Sequence, residues 1–207
     1  MAKYSYKEME QRKLDGKLFT DTPRGLIKAT LVKQLVGRFN RSWAINIPKR
    51  FIIEKLVFKK FSMSWIEPPF NVSVGKNTSI GTGCYFNFNM TLVDDGPINI
   101  GDNVLFGPNV TVITTGHPVH PELRDKGAAM YCAPVNIHNN AWLCSNVVVL
   151  PGVTIGENSV IAAGSVVTKD IPANVVAMGN PCRVVREINE NDKQYYYKEK
   201  SIEYGKL

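Results

Sequence analysis

A six-residue period of aliphatic residues dominates the second half of this chain. One aliphatic side chain stands at every sixth position through thirty residues of small and polar neighbours: Ile137, Leu143, Val149, Ile155, Ile161 and Val167. A helix would repeat apolar residues every three to four positions, and a half-buried strand every two. The spacing of six therefore predicts a chain that turns a corner every six residues and points the same side chain inward each time, which is a coiled β-prism.

The other positions of each hexad fit such corners. Glycine follows the inward residue in several repeats, and a small or β-branched residue stands four places after it. Asparagine tolerates a left-handed backbone, and it precedes the small residue at Asn103, Asn109, Asn140, Asn146 and Asn158. These residue types at these places indicate tight corners around a narrow interior.

The period extends upstream with two interruptions. It predicts inward positions at Val74, Ile80 and Phe86 and then, after a two-residue slip near Pro97, at Ile100, Phe106 and Val112. The second interruption is longer, since residues 114–134 follow no hexad and contain two of the three histidines. Loops that leave a rigid scaffold often carry its chemistry.

Composition and cysteine usage bound the class of protein. With 207 residues, 44% of them hydrophobic, the chain can bury one sizeable core. The sequence contains no long apolar run, and its N-terminus lacks the apolar stretch of a secretory signal. The four cysteines form no CxxC pair, and Cys84 and Cys144 fall inside the repeat as small residues, which favours a reducing compartment over a disulfide framework. We expect a cytoplasmic protein without membrane insertion.

The net charge of +7 suits an anionic partner without choosing among nucleic acid, a membrane surface and a phosphorylated cofactor. The densest basic stretch, residues 49–61, places five cations and one anion around apolar residues at helical spacing. We interpret it as a helix that packs its apolar stripe on the prism and solvates the rest, in preference to membrane or nucleic-acid binding.

The organisation along the chain follows from these patterns. Residues 3–40 predict two short helices with a break at Thr22-Pro23, and a third helix should begin near Pro48. The prism should run from about residue 72 to 176. We therefore divide the chain into a helical segment, 1–65, a prism domain, 66–180, with an extended loop, 114–134, and a C-terminal tail, 181–207, that is helix-compatible at first.

The strongest candidate for chemistry is His117, at the point where the repeat yields to the long loop. A histidine can take a proton from an alcohol near neutral pH, although a loop histidine can also have no role. Polar groups in the upstream interruption, Asn87, Asp94 and Asp95, could bind several hydroxyls of a polyol. Asp94-Asp95-Gly96-Pro97 is equally an ordinary turn signal.

A series of motifs along nearly the whole chain resembles the maltose and galactoside O-acetyltransferases, and the galactoside members most. These motifs are Leu18-Phe19-Thr20-Asp21, Asn87-Phe88-Asn89, Val93-Asp94-Asp95, Thr115-Gly116-His117-Pro118, Asn140-Ala141-Trp142, Pro151-Gly152-Val153-Thr154-Ile155-Gly156, Val167-Thr168-Lys169-Asp170-Ile171-Pro172 and Gly179-Asn180-Pro181-Cys182-Arg183. The family contains hexapeptide-repeat enzymes that use acetyl-CoA. The resemblance implies a mainly β fold, a left-handed parallel β-helix with three hexads per coil, preceded by a helical segment of the maltose-acetyltransferase type.

The resemblance also implies a homotrimer with active sites between subunits, where acetyl-CoA meets a small sugar or glycoside. Residue by residue, it makes His117 the general base and Ser145 the source of a backbone N–H for the oxyanion. Five residues match acceptor contacts: Asp21, Ser73, Tyr85, Asn87 and Asp95. Seven match donor contacts, with Trp142 beside the acetyl group, Ser145 and Ala163 along the pantetheine arm, and Thr168, Lys169, Arg183 and Arg186 at the nucleotide end. No metal is expected.

The chain departs from the family pattern at two places. Members often carry a glutamate late in the long loop, whereas residues 127–130 read Gly-Ala-Ala-Met, so a carboxylate that could seat His117 or the acceptor is missing. Cys144 also stands where a glycine usually follows the inward residue. The first departure leaves the choice of acceptor open.

Other functions remain as alternatives. A metal-dependent hydratase of the γ-carbonic-anhydrase kind shares the prism and uses three histidines, but the spacing of His117, His120 and His138 matches ligands on successive coils poorly. A sugar-nucleotide uridylyltransferase would need a larger N-terminal domain with a glycine-rich phosphate loop. A related acetyltransferase acting on a xenobiotic or lipid-linked sugar, or a non-catalytic scaffold, also fits. We predict acetyl transfer from acetyl-CoA to a sugar hydroxyl.

Overall fold

The computed structural model describes residues 4–42, 46–125, 129–198 and 200–201. Its helices are α1 (Tyr6–Leu14), α2 (Pro23–Asn40), α3 (Ile47–Val57), α4 (Pro121–Asp125) and α5 (Asn191–Gln194). Its strands are β1 (Lys60–Phe61), β2 (Trp65–Ile66), β3 (Phe70–Val72), β4 (Thr78–Ile80), β5 (Tyr85–Phe86), β6 (Met90–Val93), β7 (Ile98–Ile100), β8 (Leu105–Phe106), β9 (Thr111–Ile113), β10 (Thr115–Gly116), β11 (Tyr131–Cys132), β12 (Val135–Ile137), β13 (Trp142–Leu143), β14 (Val148–Val149), β15 (Thr154–Ile155), β16 (Val160–Ile161), β17 (Val166–Val167), β18 (Val175–Met178), β19 (Arg183–Glu187), β20 (Tyr195–Tyr197) and β21 (Lys200–Ser201).

Three sheets of short parallel strands form the faces of a prism. Face 1 is β1-β4-β7-β12-β15, face 2 is β2-β5-β8-β13-β16-β18 with β19 at its edge, and face 3 is β3-β6-β9-β14-β17. The chain visits the three faces in turn and then starts the next coil. This architecture confirms the mainly β solenoid that the hexads and the resemblance predicted.

The strand register explains the six-residue period. On face 1, Ile80 pairs with Ile100, Ile100 with Ile137, and Ile137 with Ile155, so identical side chains stack along the prism axis. These side chains are at most 5% exposed. Each inward column is dry, and its stability comes from apolar burial between successive coils.

Asparagine holds the corners, as its spacing predicted. The backbone φ angles of Asn103, Asn140, Asn158 and Asn174 lie between +57° and +61°, in the left-handed region. Their side chains also form a ladder along one edge, because each Nδ2 donates to the Oδ1 of the next asparagine at 3.4, 2.9 and 2.7 Å. The same residue type therefore turns the chain and links neighbouring coils.

The first coil differs from the prediction at two points. Val74 is only half-buried, and the inward residue is Val72, which pairs with Leu92. An extra two residues at this corner, like the slip near Pro97, shift the period. The stacked strands also begin at Lys60, within the segment predicted to be helical.

Three helices precede the prism at the predicted places. Ser5 and Glu8 form a capping box on α1, and Thr22 caps α2 by accepting from the Gly25 N–H at 3.2 Å. Pro48 lies in the first turn of α3. The second helix has 18 residues and is longer than the short helix that we expected. No helix in the described ranges combines the length and the apolar character needed to cross a membrane.

The C-terminal tail was predicted to start as a helix, and this expectation was wrong. Residues 183–187 form β19, which runs antiparallel to β18 and extends face 2. The segment carries an exposed edge strand because β18 offers unpaired backbone groups that a helix could not satisfy. Only the four residues of α5 are helical between residues 183 and 198.

The close stacking of coils generates the first testable prediction. An added Cβ at Gly107 would lie 2.6 Å from the Ser145 backbone nitrogen of the next coil, whereas at Gly37, inside α2, it would meet only the Arg41 side chain at 3.5 Å. Gly107→Ala should lower the free energy of unfolding by about 1–3 kcal/mol through overpacking. The same substitution at Gly37 should raise it by about 0.5–1 kcal/mol through helix propensity. Chemical denaturation monitored by circular dichroism measures both, and effects of equal sign would contradict the stacking argument.

Candidate functional site

The candidate site residues lie along the edges of the prism, which we name by the faces that they join. Edge 2–3 contains the turns that follow the strands of face 2, and edge 3–1 contains those that follow face 3. Edge 1–2 carries the Asn103 ladder and none of the predicted site residues. The described strands place the predicted residues on the first two edges or on face 2 beside them.

His117 lies where the long loop leaves edge 3–1. The loop begins with β10, which pairs antiparallel to β11, so that Thr115 faces Cys132 and the loop is closed at its base. The His117 ring is exposed, and its Nδ1 is 3.0 Å from the Ala129 carbonyl oxygen. A carbonyl can only accept, so Nδ1 carries the ring proton and Nε2 presents a lone pair to the surface.

The backbone around Ala129 is itself anchored. Phe19 and Met130 exchange two backbone hydrogen bonds, each of 2.9 Å, and the Phe19 side chain is 2% exposed. This bridge ties the N-terminal segment to the far end of the loop and brings Asp21, which is exposed, to the same region. Sequence reasoning missed Ala129, because a main-chain carbonyl leaves no side-chain signal. Residues 127 and 128 of that stretch lie outside the described residues.

Two more predicted acceptor residues lie on edge 3–1. Asp95 is half-buried, and its Oδ2 accepts from the Thr115 hydroxyl at 3.0 Å, two residues before His117. Ser73 follows β3 one coil below, where Val72 pairs with Leu92. This edge therefore carries a carboxylate, a hydroxyl and a histidine whose Nε2 has no hydrogen-bond partner among the described residues.

The sequence left Asp94 open between hydroxyl binding and an ordinary turn, and the structure favours the turn. Its side chain is fully buried, accepting from the Val74 backbone N–H and the Thr78 hydroxyl, each at 2.8 Å. Burial raises the pKa of Asp94 to about 6, although these hydrogen bonds partly offset the effect. Asp94 is a corner group that holds the backbone beneath Asp95.

The other acceptor candidates, Tyr85 and Asn87, belong to face 2 and edge 2–3. Tyr85 is half-buried, and desolvation, followed by the nearby Glu67 carboxylate, raises the pKa of its phenol. Asn87 and Asp95 lie before and after the four-residue strand β6, at opposite edges of face 3, so that roughly 13 Å of extended chain separates those edges. A single chain thus divides the predicted acceptor residues between two edges.

Three predicted donor residues share face 2 or its edge with Tyr85. Trp142 lies two coils above Tyr85 in the same register and is 47% exposed. Ser145 and Ala163 are in the turns of edge 2–3, where the Gly164 N–H donates to the Ser145 carbonyl at 2.9 Å. Within the described residues, no backbone acceptor takes the Ser145 N–H. Edge 2–3 thus presents small residues and an N–H group without a backbone acceptor among the described residues.

The predicted nucleotide-end residues lie on two elements. Thr168 and Lys169 follow β17 at edge 3–1 and are exposed. Arg183 and Arg186 lie on β19 beside face 2. Arg186 already binds both Asp192 oxygens at 2.7 Å, and this pairing lowers the pKa of Asp192 to about 2. A phosphate at Arg186 would have to share the guanidinium with Asp192.

The described part of the chain contains no group of three His, Cys, Asp or Glu side chains arranged to hold a metal ion. The three histidines considered for a hydratase are therefore not gathered in one place there.

Comparisons with known proteins agree with this architecture. A family model described as "Bacterial transferase hexapeptide (six repeats)" matches residues 134–169, and one described as "Hexapeptide repeat of succinyl-transferase" matches residues 97–119. A galactoside O-acetyltransferase from Escherichia coli (strain K12) is 53% identical over 197 residues, which are 94% of this chain and 97% of that protein. A galactoside O-acetyltransferase from Lactococcus lactis is 45% identical, with 96% and 95% covered.

Solved structures are similar over the same extent. A galactoside acetyltransferase in complex with coenzyme A superposes with a TM-score of 0.89 at 53% identity, covering 94% of this chain and 98% of that one. A maltose O-acetyltransferase from Clostridium difficile 630 gives a TM-score of 0.83 at 36% identity, covering 88% and 98%. The likeness thus includes both the helical segment and the prism.

The buried Asp94 generates a prediction about pH. An acid whose pKa is raised by folding binds its proton more tightly in the folded state, so stability falls as pH rises from the ordinary pKa of 3.8 through about 6. A change of one unit in pKa corresponds to about 1.4 kcal/mol. Between pH 3 and 7, the free energy of unfolding of the wild type should therefore fall by about 3 kcal/mol relative to that of Asp94→Asn. Denaturation of both proteins across this range measures the difference. A constant difference would show that Asp94 titrates normally.

Proposed function

Because this chain belongs to the galactoside and maltose O-acetyltransferases of the hexapeptide-repeat class, we propose that it transfers the acetyl group of acetyl-CoA to a hydroxyl of a galactoside- or maltose-like sugar, with His117 as the general base. The observation that carries the role of His117 is its hydrogen bond to the Ala129 carbonyl, which leaves Nε2 available as a proton acceptor. A main-chain group thus replaces the loop glutamate that the sequence lacks.

In the proposed reaction, His117 Nε2 takes the proton of the sugar hydroxyl as its oxygen attacks the thioester carbonyl carbon. The carbonyl π electrons move to oxygen and form a tetrahedral oxyanion. When the oxyanion collapses, the carbon–sulfur bond breaks, and the CoA sulfur receives the proton from His117. The products are the sugar acetate and CoA, and the histidine returns to its neutral form.

The donor side of the proposal rests on edge 2–3. The unengaged Ser145 N–H would hold the oxyanion, as backbone donors do in acyl transfer. The exposed Trp142 ring would cover the acetyl group, and Ala163 would leave room for the pantetheine arm. Thr168, Lys169, Arg183 and Arg186 would meet the nucleotide end.

A homotrimer would unite the two halves of the site. Asp21, Ser73, Asp95 and His117 lie at edge 3–1 or its loop, whereas Tyr85, Asn87 and Ser145 lie along face 2 and edge 2–3. If face 3 of each subunit is directed toward a threefold axis, edge 3–1 of one subunit meets edge 2–3 of the next. Each cleft would then hold the base from one chain and the oxyanion donor from its neighbour.

A cytoplasmic location also stays part of the proposal. It is supported by the four cysteines, which are all free in the structure.

The role of His117 is tested by two histidine variants in the same loop. His117→Ala should lower kcat about 10²–10⁴-fold, as expected for loss of a general base, with unchanged affinity for acetyl-CoA. His120→Ala is the matched control, since His120 is also exposed and lies three residues further on. The assay is CoA release with a panel of galactosides and maltose. A loss of only a few-fold in His117→Ala would remove this residue from the role of base.

The shared site is tested by complementation. His117→Ala and Asn87→Ala, each weakly active alone, should regain activity when co-expressed, because mixed trimers contain clefts with both wild-type edges. Each cleft needs His117 from one chain and Asn87 from its neighbour. With random assembly of equal amounts, about a quarter of the clefts should therefore be intact. Mixing the purified homotrimers without exchange of subunits is the control. If co-expression restored nothing while mixed trimers formed, the site would lie within one chain.

A further inference from the structure

A cleft separates α3 from the first coil of the prism. One of its walls, Trp65, pairs with Tyr85 of the next coil on face 2. The volume of the cleft is about 390 Å³, and its apolar walls are Ile47, Pro48, Phe51, Met63 and Trp65. Ligand cavities in proteins have volumes of about 300–1,000 Å³. The cleft is therefore large enough for a small organic molecule, and it opens at edge 1–2.

Arg50 contributes a buried positive charge to this apolar cleft. The residue is 3% exposed, and its guanidinium lies between two aromatic rings, 4.6 Å from the Phe39 centroid and 4.8 Å from the Trp65 centroid. Its Nη2 donates to the Ile66 carbonyl, but Nε and Nη1 are buried and have no hydrogen-bond partner in the part of the chain that the structure describes. Buried donors without partners are rare, because each forfeits its hydration.

Glu54, one turn further along α3, is not the missing partner. It is 5% exposed, and no oxygen of Glu54 is within 4 Å of an Arg50 nitrogen among the described ion pairs. Burial raises the pKa of Glu54 to about 7, and the nearby Arg50 charge reduces this rise. The carboxyl group is thus partly protonated near neutral pH, and the guanidinium keeps much of its uncompensated charge.

We propose that this cleft is a second ligand site, which binds a small apolar monocarboxylate. The Arg50 Nε and Nη1 atoms are closed to solvent beside the Trp65 ring, so the ligand carboxylate accepts from them after a shift of that ring, and the hydrocarbon or aromatic body of the ligand lies between Phe51, Met63 and Trp65. Guanidinium groups suit carboxylates through charge-assisted hydrogen bonds. One cation beside an acidic residue favours a single negative charge over a phosphate dianion, and the apolar walls favour an apolar body.

The mouth of the cleft lies on a different edge from His117 and Ser145, although its inner wall, Trp65, is next to Tyr85 on face 2. Met63, which is 78% exposed, lies on edge 1–2, the edge that carries none of the predicted catalytic or acetyl-CoA residues. In the proposed trimer this edge points away from the threefold axis, so the cleft stays open. The openness of the cleft thus rests on the proposed trimer, whereas ligand binding by Arg50 does not require acetyl transfer.

The test is a calorimetric titration of the full chain with 3-phenylpropionate and, in parallel, its neutral isostere 3-phenylpropanamide. The acid should bind at least about tenfold more tightly than the amide, since a desolvated charge-assisted hydrogen bond contributes about 1.5–3 kcal/mol. The acid should bind His117→Ala as tightly as wild type, which separates this site from the catalytic one.

A matched pair of surface variants places the ligand. Met63→Glu puts a carboxylate at the mouth of the cleft, where it competes for Arg50 and repels the ligand, and it should weaken binding of the acid about tenfold or more. Met63→Gln has the same shape without charge and should bind within about twofold of wild type. Both changes are at an exposed side chain, so the fold is retained.

Three results would overturn the proposal: equal affinities for the acid and the amide, no binding of the acid up to about 10 mM, or unchanged affinity in Met63→Glu. The last result would place any bound acid outside the α3 cleft.

Discussion

The spacing between coils, set by parallel backbone hydrogen bonds at about 4.8 Å, is the constraint on which the rest of this structure depends. It stacks Ile80, Ile100 and Ile137 in one column, and it excludes a side chain at Gly107, where the next coil approaches. The same approach brings Gly107 against the Ser145 nitrogen, whose N–H has no backbone acceptor among the described residues. The packing rule and the proposed oxyanion site therefore have one physical origin.

The long loop shows how a rigid repeat can present a precisely held side chain from an irregular segment. Its base is closed by the short β10–β11 ladder, and its far end is fixed to the N-terminal segment through Phe19 and Met130. The Ala129 carbonyl next to this bridge sets the tautomer of His117. Because the anchoring groups are main-chain atoms, the loop sequence can vary while the position of the imidazole is kept.

The hexads predicted most of the interior and the left-handed corners. Once the coils stack, the same position of every hexad must point inward, so the sequence period identifies it. Handedness and residue roles came from the resemblance, since periodicity carries neither. Val74 was wrongly assigned to the interior because the corner after β3 contains two extra residues, and the sequence period alone does not reveal them. Residues 183–187 do not alternate between apolar and polar, so their sequence does not indicate a strand, and pairing with the open edge of β18 decides their structure. Asp94 and Asp95 are adjacent in sequence, yet burial separates their roles.

Consecutive hexads occupy the three faces in a fixed order, and this order limits how such a chain can change in length during evolution. Inserting a single hexad would rotate every later residue by one face and carry Lys169 away from the edge that it shares with His117. An insertion that leaves and rejoins at one corner has no such effect, and residues 114–134 are of this kind, because Val112 on face 3 is followed by Ile137 on face 1. New specificity can therefore arise through loops inserted at corners, which leave every later residue on its original face.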